Sequence, residues 1–329
     1  MSAPTASNLV EIRNLSVSFK QIGGVIQAVR GVTLHLAPGE SLGIVGESGS
    51  GKSVSCMAIM GLLKSPPARI KADVLELRGM DMQRASKSDL TSVRGVVASM
   101  VFQDPMTAFD PVFTIGKQIV ETIRTHRNTS KSDARAEALD LLKKVEIRNA
   151  EAVLDSYPHQ LSGGMLQRCM IAMALSCQPQ VLFADEPTTA LDVTVQAQIL
   201  QLIKDLQEEM GMGLIMITHD LGVIAETVDR VVVMYGGKVM EQSPVADIFD
   251  TPVHPYTRAL LASMPGAVGG RRRLTEIPGS SPDPSNPPNG CPFHPRCPAA
   301  TSKCAEGEPE LSNITPDRVA ACWNLEIQV

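Results

Sequence analysis

The run Gly46-Glu47-Ser48-Gly49-Ser50-Gly51-Lys52-Ser53 constrains what this chain can fold into more than any other feature. It fits the pattern G-x-x-x-x-G-K-[ST] and lies between an apolar stretch, Ser41 to Val45, and a helical pattern that begins near Lys52. Glycines let the backbone curl so that successive N–H groups face an anion, and the following helix adds the positive end of its dipole. In that setting Lys52 reaches the β- and γ-phosphates of a nucleotide and the Ser53 hydroxyl ligates Mg²⁺. A glycine-rich turn with a chance lysine is the plain alternative. At average residue frequencies such a match arises in about one chain in a hundred of this length, and here it also has the strand before it and the helix after it. Gly46, Ser48, Gly49, Ser50, Gly51, Lys52 and Ser53 are therefore candidate nucleotide-binding residues, with ATP and Mg²⁺ as the expected ligands.

The rest of the chain is patterned to carry such a loop. Over Leu9–Phe19 and Val25–Leu36, β-branched residues alternate with polar ones around Gly23-Gly24, which predicts an antiparallel β-region. From Gln103 to Gln160 the pattern turns helical, with Ala138, Leu141, Leu142 and Val145 at helical spacing. Strand and helix then alternate: Val181–Ala184, Val195–Leu206 and Leu214–Thr218. Alternation of this kind predicts an α/β fold with a parallel sheet covered by helices. Val231–Tyr235 and Lys238–Gln242 flank Gly236-Gly237 and read as a closing hairpin. Beyond it the composition shifts, and the proline-rich run Pro282 to Gly290 cannot form helix or sheet interior. The expected division is a domain over residues 1–245, with a helical subdomain at about 104–175, and an extension over 246–329.

Two further segments carry chemistry. The apolar run Val181-Leu182-Phe183-Ala184 ends in Asp185 and Glu186. Asp185 suits Mg²⁺, and Glu186 is placed to polarise an attacking water; alone, the pair also reads as an exposed acidic turn. The second segment is Leu161-Ser162-Gly163-Gly164-Met165, a turn opening an amphipathic helix. It is another anion-binding helix N-terminus, or simply a helix capped by Ser162. One chain needs one γ-phosphate cradle, so a second suggests contact in trans across a dimer.

With these motifs in order, the chain resembles the ABC ATPases over its first 245 residues. Gly46–Ser53 is similar to Walker A, Asp185-Glu186 to the end of Walker B and Leu161–Met165 to the signature motif. Gln103 in Val101-Phe102-Gln103-Asp104 resembles the Q-loop glutamine, Ala190-Leu191-Asp192 the D-loop, and His219 in Thr218-His219-Asp220 the switch histidine. Met165 stands where the broad family has Gln, after the Ser-Gly-Gly turn. The resemblance implies an ABC-type P-loop fold with an antiparallel β-subdomain and a helical subdomain. It implies catalytic roles for Glu186, His219 and Gln103, and Mg²⁺ contacts from Ser53, Asp185 and Gln103. It further implies nucleotide contacts from Ser162, Gly163, Gly164 and Asp192. Phe19 is the aromatic expected to stack on adenine; a plain β-core Phe is the alternative.

Narrower segments resemble the ATPases of dipeptide, oligopeptide and nickel importers: Phe102 to Thr107, Tyr157 to Met165, Met170 to Leu175 and His254 to Leu261. The expected function is ATP hydrolysis that powers a membrane importer of dipeptides or oligopeptides. The alternatives are import of nickel or another small solute, and a soluble ABC ATPase outside transport. A nucleotide-binding module without turnover is a further rival, against which Glu186 and His219 speak. Implied partners are a second related ATPase, two membrane permeases and an external solute-binding protein.

Composition sharpens these expectations. A net charge of −5 supplies no basic footprint for nucleic acid. No apolar run approaches the ~18–20 residues that span a bilayer, and Met1 to Asn8 lacks a signal peptide's regions. The expected location is peripheral, on the cytoplasmic face of the inner membrane. Cys56, Cys169 and Cys177 fall in apolar surroundings and read as inert core residues. Cys291, Cys297, Cys304 and Cys322 cluster in the tail. Four thiolates can hold Zn²⁺ or an iron–sulfur cluster, or remain unliganded, and His294 could replace one of them. Resemblance to dipeptide-importer ATPases implies a [4Fe–4S] cluster.

Overall fold

The computed structural model describes residues 8–189, 191–264 and 276–325. They form two compact units interleaved along the sequence. One, the sheet unit, comprises Val10–Leu36, Ser41–Gln83 and Ile217–Val329; the other, the helical unit, comprises the residues up to Leu9, Ala37–Glu40 and Arg84–Met216.

The sheet unit opens with β1 (Val10–Gln21) and β2 (Gly24–Leu36), paired antiparallel from Val10↔Leu36 to Gln21↔Gly24. Alternation explains the pairing, and three register shifts interrupt it, between Ile12 and Leu15, Leu15 and Ser16, and Val17 and Ser18. Val10 and Ile12 are buried, then Leu15 and Val17, so the inward parity changes across Asn14, whose φ of 52° marks the first shift. A bulge of this kind lets one strand keep a single apolar face while bending. Next come β3 (Ser41–Val45), fully buried, and α1 (Lys52–Ile59), with Cys56 and Ile59 inside. Then β4 (Ala68–Lys71), β5 (Val74–Leu77) and β6 (Met80–Asp81) complete a sheet in which β2, β1, β5 and β6 run side by side and β4 also pairs with β1.

The helical unit contains α2 (Lys87–Val93), β7 (Ala98–Val101), α3 (Pro105–Ala108), α4 (Ile115–His126), α5 (Lys131–Lys144), α6 (Ala150–Leu154) and α7 (Gly163–Leu175). Side-chain caps begin several of these helices: Thr114, Ser130 and Ser162 accept from Lys117, Asp133 and Met165 N–H. Each such cap is worth about 1 kcal/mol. Ile115, Ile119 and Ile123 on α4 and Ala134, Ala138 and Leu142 on α5 recur at helical spacing and are buried. Leu141, expected among them, is half-buried. Cys169 on α7 is buried, and burial pushes its thiol up to about 12, so it is an inert core residue. β8 (Val181–Asp185) pairs in parallel with β7, Ala98↔Val181 to Val101↔Ala184. α8 (Val193–Met210) is longer than the expected 195–206 because Asp192 caps its start and Gly211, at φ 60°, ends it. β9 (Gly213–Thr218) carries the chain back into the sheet unit.

There, α9 (Leu221–Thr227) leads to β10 (Arg230–Tyr235) and β11 (Lys238–Pro244), the expected hairpin. β10 lies parallel to β3, and the Asp229 carboxylate accepts from Ser41 N–H and Oγ at 2.9 and 2.6 Å. Then follow α10 (Val245–Asp250), α11 (Pro255–Ala262), α12 (Ser302–Glu306), β12 (Ser312–Thr315) and β13 (Arg318–Ala320). The tail thus adds strands to the unit: β13 pairs antiparallel with β11, Glu241↔Ala320. No helix of the described residues is long and apolar enough to cross a membrane.

Candidate functional site

The loop between β3 and α1 is built as a cradle. Gly46, Gly49 and Gly51 have φ of 151°, 78° and 97°, which only glycine adopts without strain. Space is equally exacting. A Cβ on Gly46 would lie 2.1 Å from the Met234 carbonyl oxygen, and one on Gly51 2.5 Å from that of Ala28. Lys52 is 5% exposed, and its Nζ donates to the Gly46 and Glu47 carbonyls at 2.8 and 3.1 Å. Ser50 Oγ is buried without a hydrogen-bond partner among the described residues. A buried hydroxyl left unsatisfied costs about 1–3 kcal/mol, and a phosphate oxygen is a partner that would remove the cost. Backbone, lysine and orphan hydroxyl together fit a nucleotide triphosphate. Ser53 follows on the first turn of α1, half-buried.

In the helical unit, parallel pairing of β7 and β8 brings Gln103 and Glu186 together just beyond the strand ends. Gln103 Nε2 donates to Glu186 Oε2 at 3.0 Å, and Thr189 Oγ1 donates to the same oxygen at 3.0 Å. Asp185, the last residue of β8, is 8% exposed. Glu186 is half-buried and has a φ of 45°, in the left-handed region that costs a β-carbon residue energy. Such conformations persist where the surroundings over-determine them, commonly at functional sites. Asp192 Oδ1 accepts from Val195 N–H at 3.0 Å and so starts α8. Of the expected D-loop, Ala190 lies outside the described residues.

Ser162, Gly163 and Gly164 open α7. Ser162 Oγ accepts from Met165 N–H at 3.4 Å, and Ser162 and Gly163 are exposed. The helix end is therefore capped and presented to solvent. His219, in the sheet unit, is exposed just after β9. Phe19 stands on β1 opposite Ile26 and Ala68 and is half-buried rather than sealed in a core.

The tail gathers its four cysteines. Cys291 N–H donates to the Cys304 carbonyl at 2.8 Å, and Cys291 and Cys304 are buried. Burial pushes the Cys291 thiol up to about 11, with the charges of Cys304, Cys322 and Cys297 adding to the rise. Burial also raises Cys297 and Cys322, each with further contributions from neighbouring thiols. Even so, no group of three or more His, Cys, Asp or Glu among the described residues converges well enough to hold a metal ion. His294 Nδ1 lies 2.9 Å from the Cys291 carbonyl oxygen, held within its own turn.

Sequence reasoning missed the most heavily bonded residue of the cradle. Glu47 N–H donates to Tyr256 Oη at 3.0 Å, and the Glu47 carboxylate accepts from Arg296 Nη1 at 3.0 and 2.8 Å and from Ser281. All three partners lie in the tail, more than 200 residues away in sequence, and no local signal marks them.

A phosphate cradle of this form, after a buried strand and before a helix, defines a P-loop nucleotidase. Comparison with known proteins carries the classification further. The family model described as "ABC transporter" matches residues 29–189, and that described as "Oligopeptide/dipeptide transporter, C-terminal region" matches residues 240–304. The "Probable peptide ABC transporter ATP-binding protein y4tR" of Sinorhizobium fredii is 49% identical over 98% of this chain and 96% of its own. The oligopeptide transport ATP-binding protein AppD of Bacillus subtilis is 47% identical over 97% and 98%. The dipeptide transport ATP-binding protein DppD of Escherichia coli is 47% identical over 95% and 96%. Among solved structures, the dimeric ATP-binding cassette MJ0796 bound to ADP and Pi superposes with a TM-score of 0.63 at 30% identity, covering 72% of this chain and 98% of that one. The chain belongs to the ABC transporter ATP-binding proteins with an oligopeptide/dipeptide-type C-terminal region, and it is an ATP hydrolase of the ABC type.

Proposed function

We propose that this chain hydrolyses MgATP to power import of dipeptides or oligopeptides through a membrane permease pair. The C-terminal match at residues 240–304, together with full-length similarity to proteins named for dipeptide and oligopeptide transport, carries this reading. Its partners are two permeases, an external solute-binding protein and a second, related ATPase, with the pair at the cytoplasmic face of the inner membrane. The ATPase domain spans residues 1–245, and the tail over 246–329 is an extension of it.

Lys52 and the loop residues Gly46, Ser48, Gly49, Ser50, Gly51 and Ser53 hold the β- and γ-phosphates, and Phe19 stacks on adenine. Ser53, Asp185 and Gln103 are the proposed Mg²⁺ ligands, and the ion would neutralise phosphate charge when bound. Glu186 takes a proton from the attacking water, oriented by its hydrogen bonds from Gln103 and Thr189. His219 hydrogen-bonds the γ-phosphate. The exposed turn Ser162-Gly163-Gly164 and Asp192 serve the nucleotide of the partner ATPase. Cys291, Cys297, Cys304 and Cys322 are proposed as ligands of a [4Fe–4S] cluster that would staple the tail, on their number and thiolate chemistry and on the resemblance to dipeptide-importer ATPases, not on a converged site.

Purification of the full chain from native membranes tests the assignment. Two permeases, a second ATPase and a peptide-binding protein should co-purify, and peptide-loaded binding protein should stimulate ATP turnover in proteoliposomes. Stimulation by nickel alone, or purification without membrane subunits, would overturn peptide import.

A further inference from the structure

Glu47 is the second residue of the phosphate loop, and every polar group it has is spoken for. Its carbonyl accepts from Lys52 Nζ at 3.1 Å and from Ser50 N–H at 3.2 Å, inside the loop. Its N–H goes to Tyr256 on α11, and its carboxylate to Arg296 and Ser281 of the tail. Arg296 is the more deeply placed partner, its side chain 7% exposed against 23% for Glu47. Its remaining donors are also used: Nη1 on Tyr235 Oη at 3.0 Å, Nε on the Pro278 carbonyl at 2.8 Å and Nη2 on the Ile277 carbonyl at 3.1 Å. The guanidinium therefore cannot swing away without leaving several groups unpaired. Phe293, three residues earlier, packs against Tyr235 and Tyr256 at ring-centroid distances of 5.3 and 5.1 Å and fixes the segment that presents it.

A carboxylate in a loop whose task is to hold a polyanion is a liability. Unpaired, it repels the phosphates through the low-dielectric wall of the cradle. Paired with a buried, permanently charged guanidinium, it is neutralised, while its backbone stays available to position Lys52 and Ser50. We infer that Arg296, supplied by the C-terminal extension, is a positioning residue for MgATP: it neutralises Glu47 and holds the phosphate loop in its receptive form. The tail is thereby part of the nucleotide site, acting through Glu47 rather than by touching nucleotide. The inference needs only the nucleotide binding that family membership establishes, and is independent of the transported solute.

A charge-rescue series in the full chain tests it. MgATP affinity is measured by competition with a fluorescent ATP analogue, and kcat and KM are measured in the assembled transporter. Arg296→Ala should weaken MgATP binding on the order of tenfold and raise KM similarly, with kcat within about twofold. Glu47→Gln, which keeps the shape but not the charge, should weaken MgATP binding by clearly less than Arg296→Ala does. The double variant should bind like Glu47→Gln, because no uncompensated carboxylate remains. Raising the salt concentration should shrink the Arg296→Ala defect. Wild-type affinity in Arg296→Ala, a double variant as weak as Arg296→Ala, or a fall in kcat at constant KM would each overturn the inference. Should Arg296→Ala fail to fold, Arg296→Gln carries the same outcomes alone and with Glu47→Gln.

Discussion

Among the described residues, the two glycine turns proposed to meet phosphate both open helices, yet they are built in opposite ways. At Gly46–Ser53 neighbouring carbonyls leave no room for a Cβ on Gly46 or Gly51, Lys52 is buried, and the outer wall is held by residues from a distant stretch of chain. At Ser162-Gly163-Gly164 the turn is exposed, its one cap is the Ser162 hydroxyl, and a Cβ on Gly163 would meet only ordinary contact, with Leu191 Cδ2 at 3.7 Å. The first is a finished site that wants only its ligand. The second is an open helix end at which Gly163 has room for a Cβ, while one on Gly164 would lie a tight 3.0 Å from Val195 Cγ1. Burial and packing thus distinguish the two turns along the line between their proposed cis and trans roles.

The largest expected effect separates chemistry from either turn. Glu186→Gln should lower kcat about 10²–10⁴-fold while MgATP still binds, since the amide can hold water but cannot take its proton. Near-wild-type turnover in the assembled transporter would remove Glu186 from that role. Next comes the buried turn itself. Gly46→Ala drives a methyl into the Met234 carbonyl and should reduce MgATP affinity on the order of a hundredfold, read by nucleotide titration. Gly163→Ala should leave the chain's own nucleotide affinity within about twofold, and a loss as large as that of Gly46→Ala would erase the contrast between the turns.

Smaller in each subunit, but sharper about geometry, is a crosslinking comparison with a photoreactive ATP in the assembled transporter. A Lys52 lesion should abolish labelling of this chain, whereas Ser162→Arg should impair labelling at the partner's P-loop. Loss at this chain's own P-loop alone in Ser162→Arg would break the trans assignment. The smallest expected effect on nucleotide is that of the cysteines. Any of Cys291, Cys297, Cys304 and Cys322 changed to Ser should lower the iron and sulfide content of anaerobically purified protein from about four each. ATP binding should persist. Colourless wild-type protein with stoichiometric zinc would replace the cluster by a zinc site, and protein with neither would leave packed thiols.

Much of this was legible from one dimension because its determinants are local. Gly46–Ser53 states a backbone path residue by residue, the alternation of Val10, Ile12, Leu15 and Val17 states a half-buried strand, and Val181–Glu186 states a buried strand ending in acid. Each is written within a few residues by sterics, by the periods of strand and helix, or by the cost of burying charge. Helix lengths were less legible: α8 runs past the apolar core positions because capping residues, not apolar ones, set its ends.

Tertiary structure alone decided three things. It joined Gln103 to Glu186, 83 residues apart, because β7 and β8 pair in parallel and end side by side. It attached the tail as strands, β13 on β11, where composition suggested only a proline-rich appendage. And it placed Arg296, 249 residues away, on the carboxylate of Glu47. A salt bridge leaves no periodicity in sequence, since any arginine can pair with any glutamate; a guanidinium side chain 7% exposed, set against the half-buried Glu47 with its other donors used on carbonyls and a phenol, selects this pair. Sequence determined which residues can cradle a phosphate, and the folded chain determined what holds the cradle in shape.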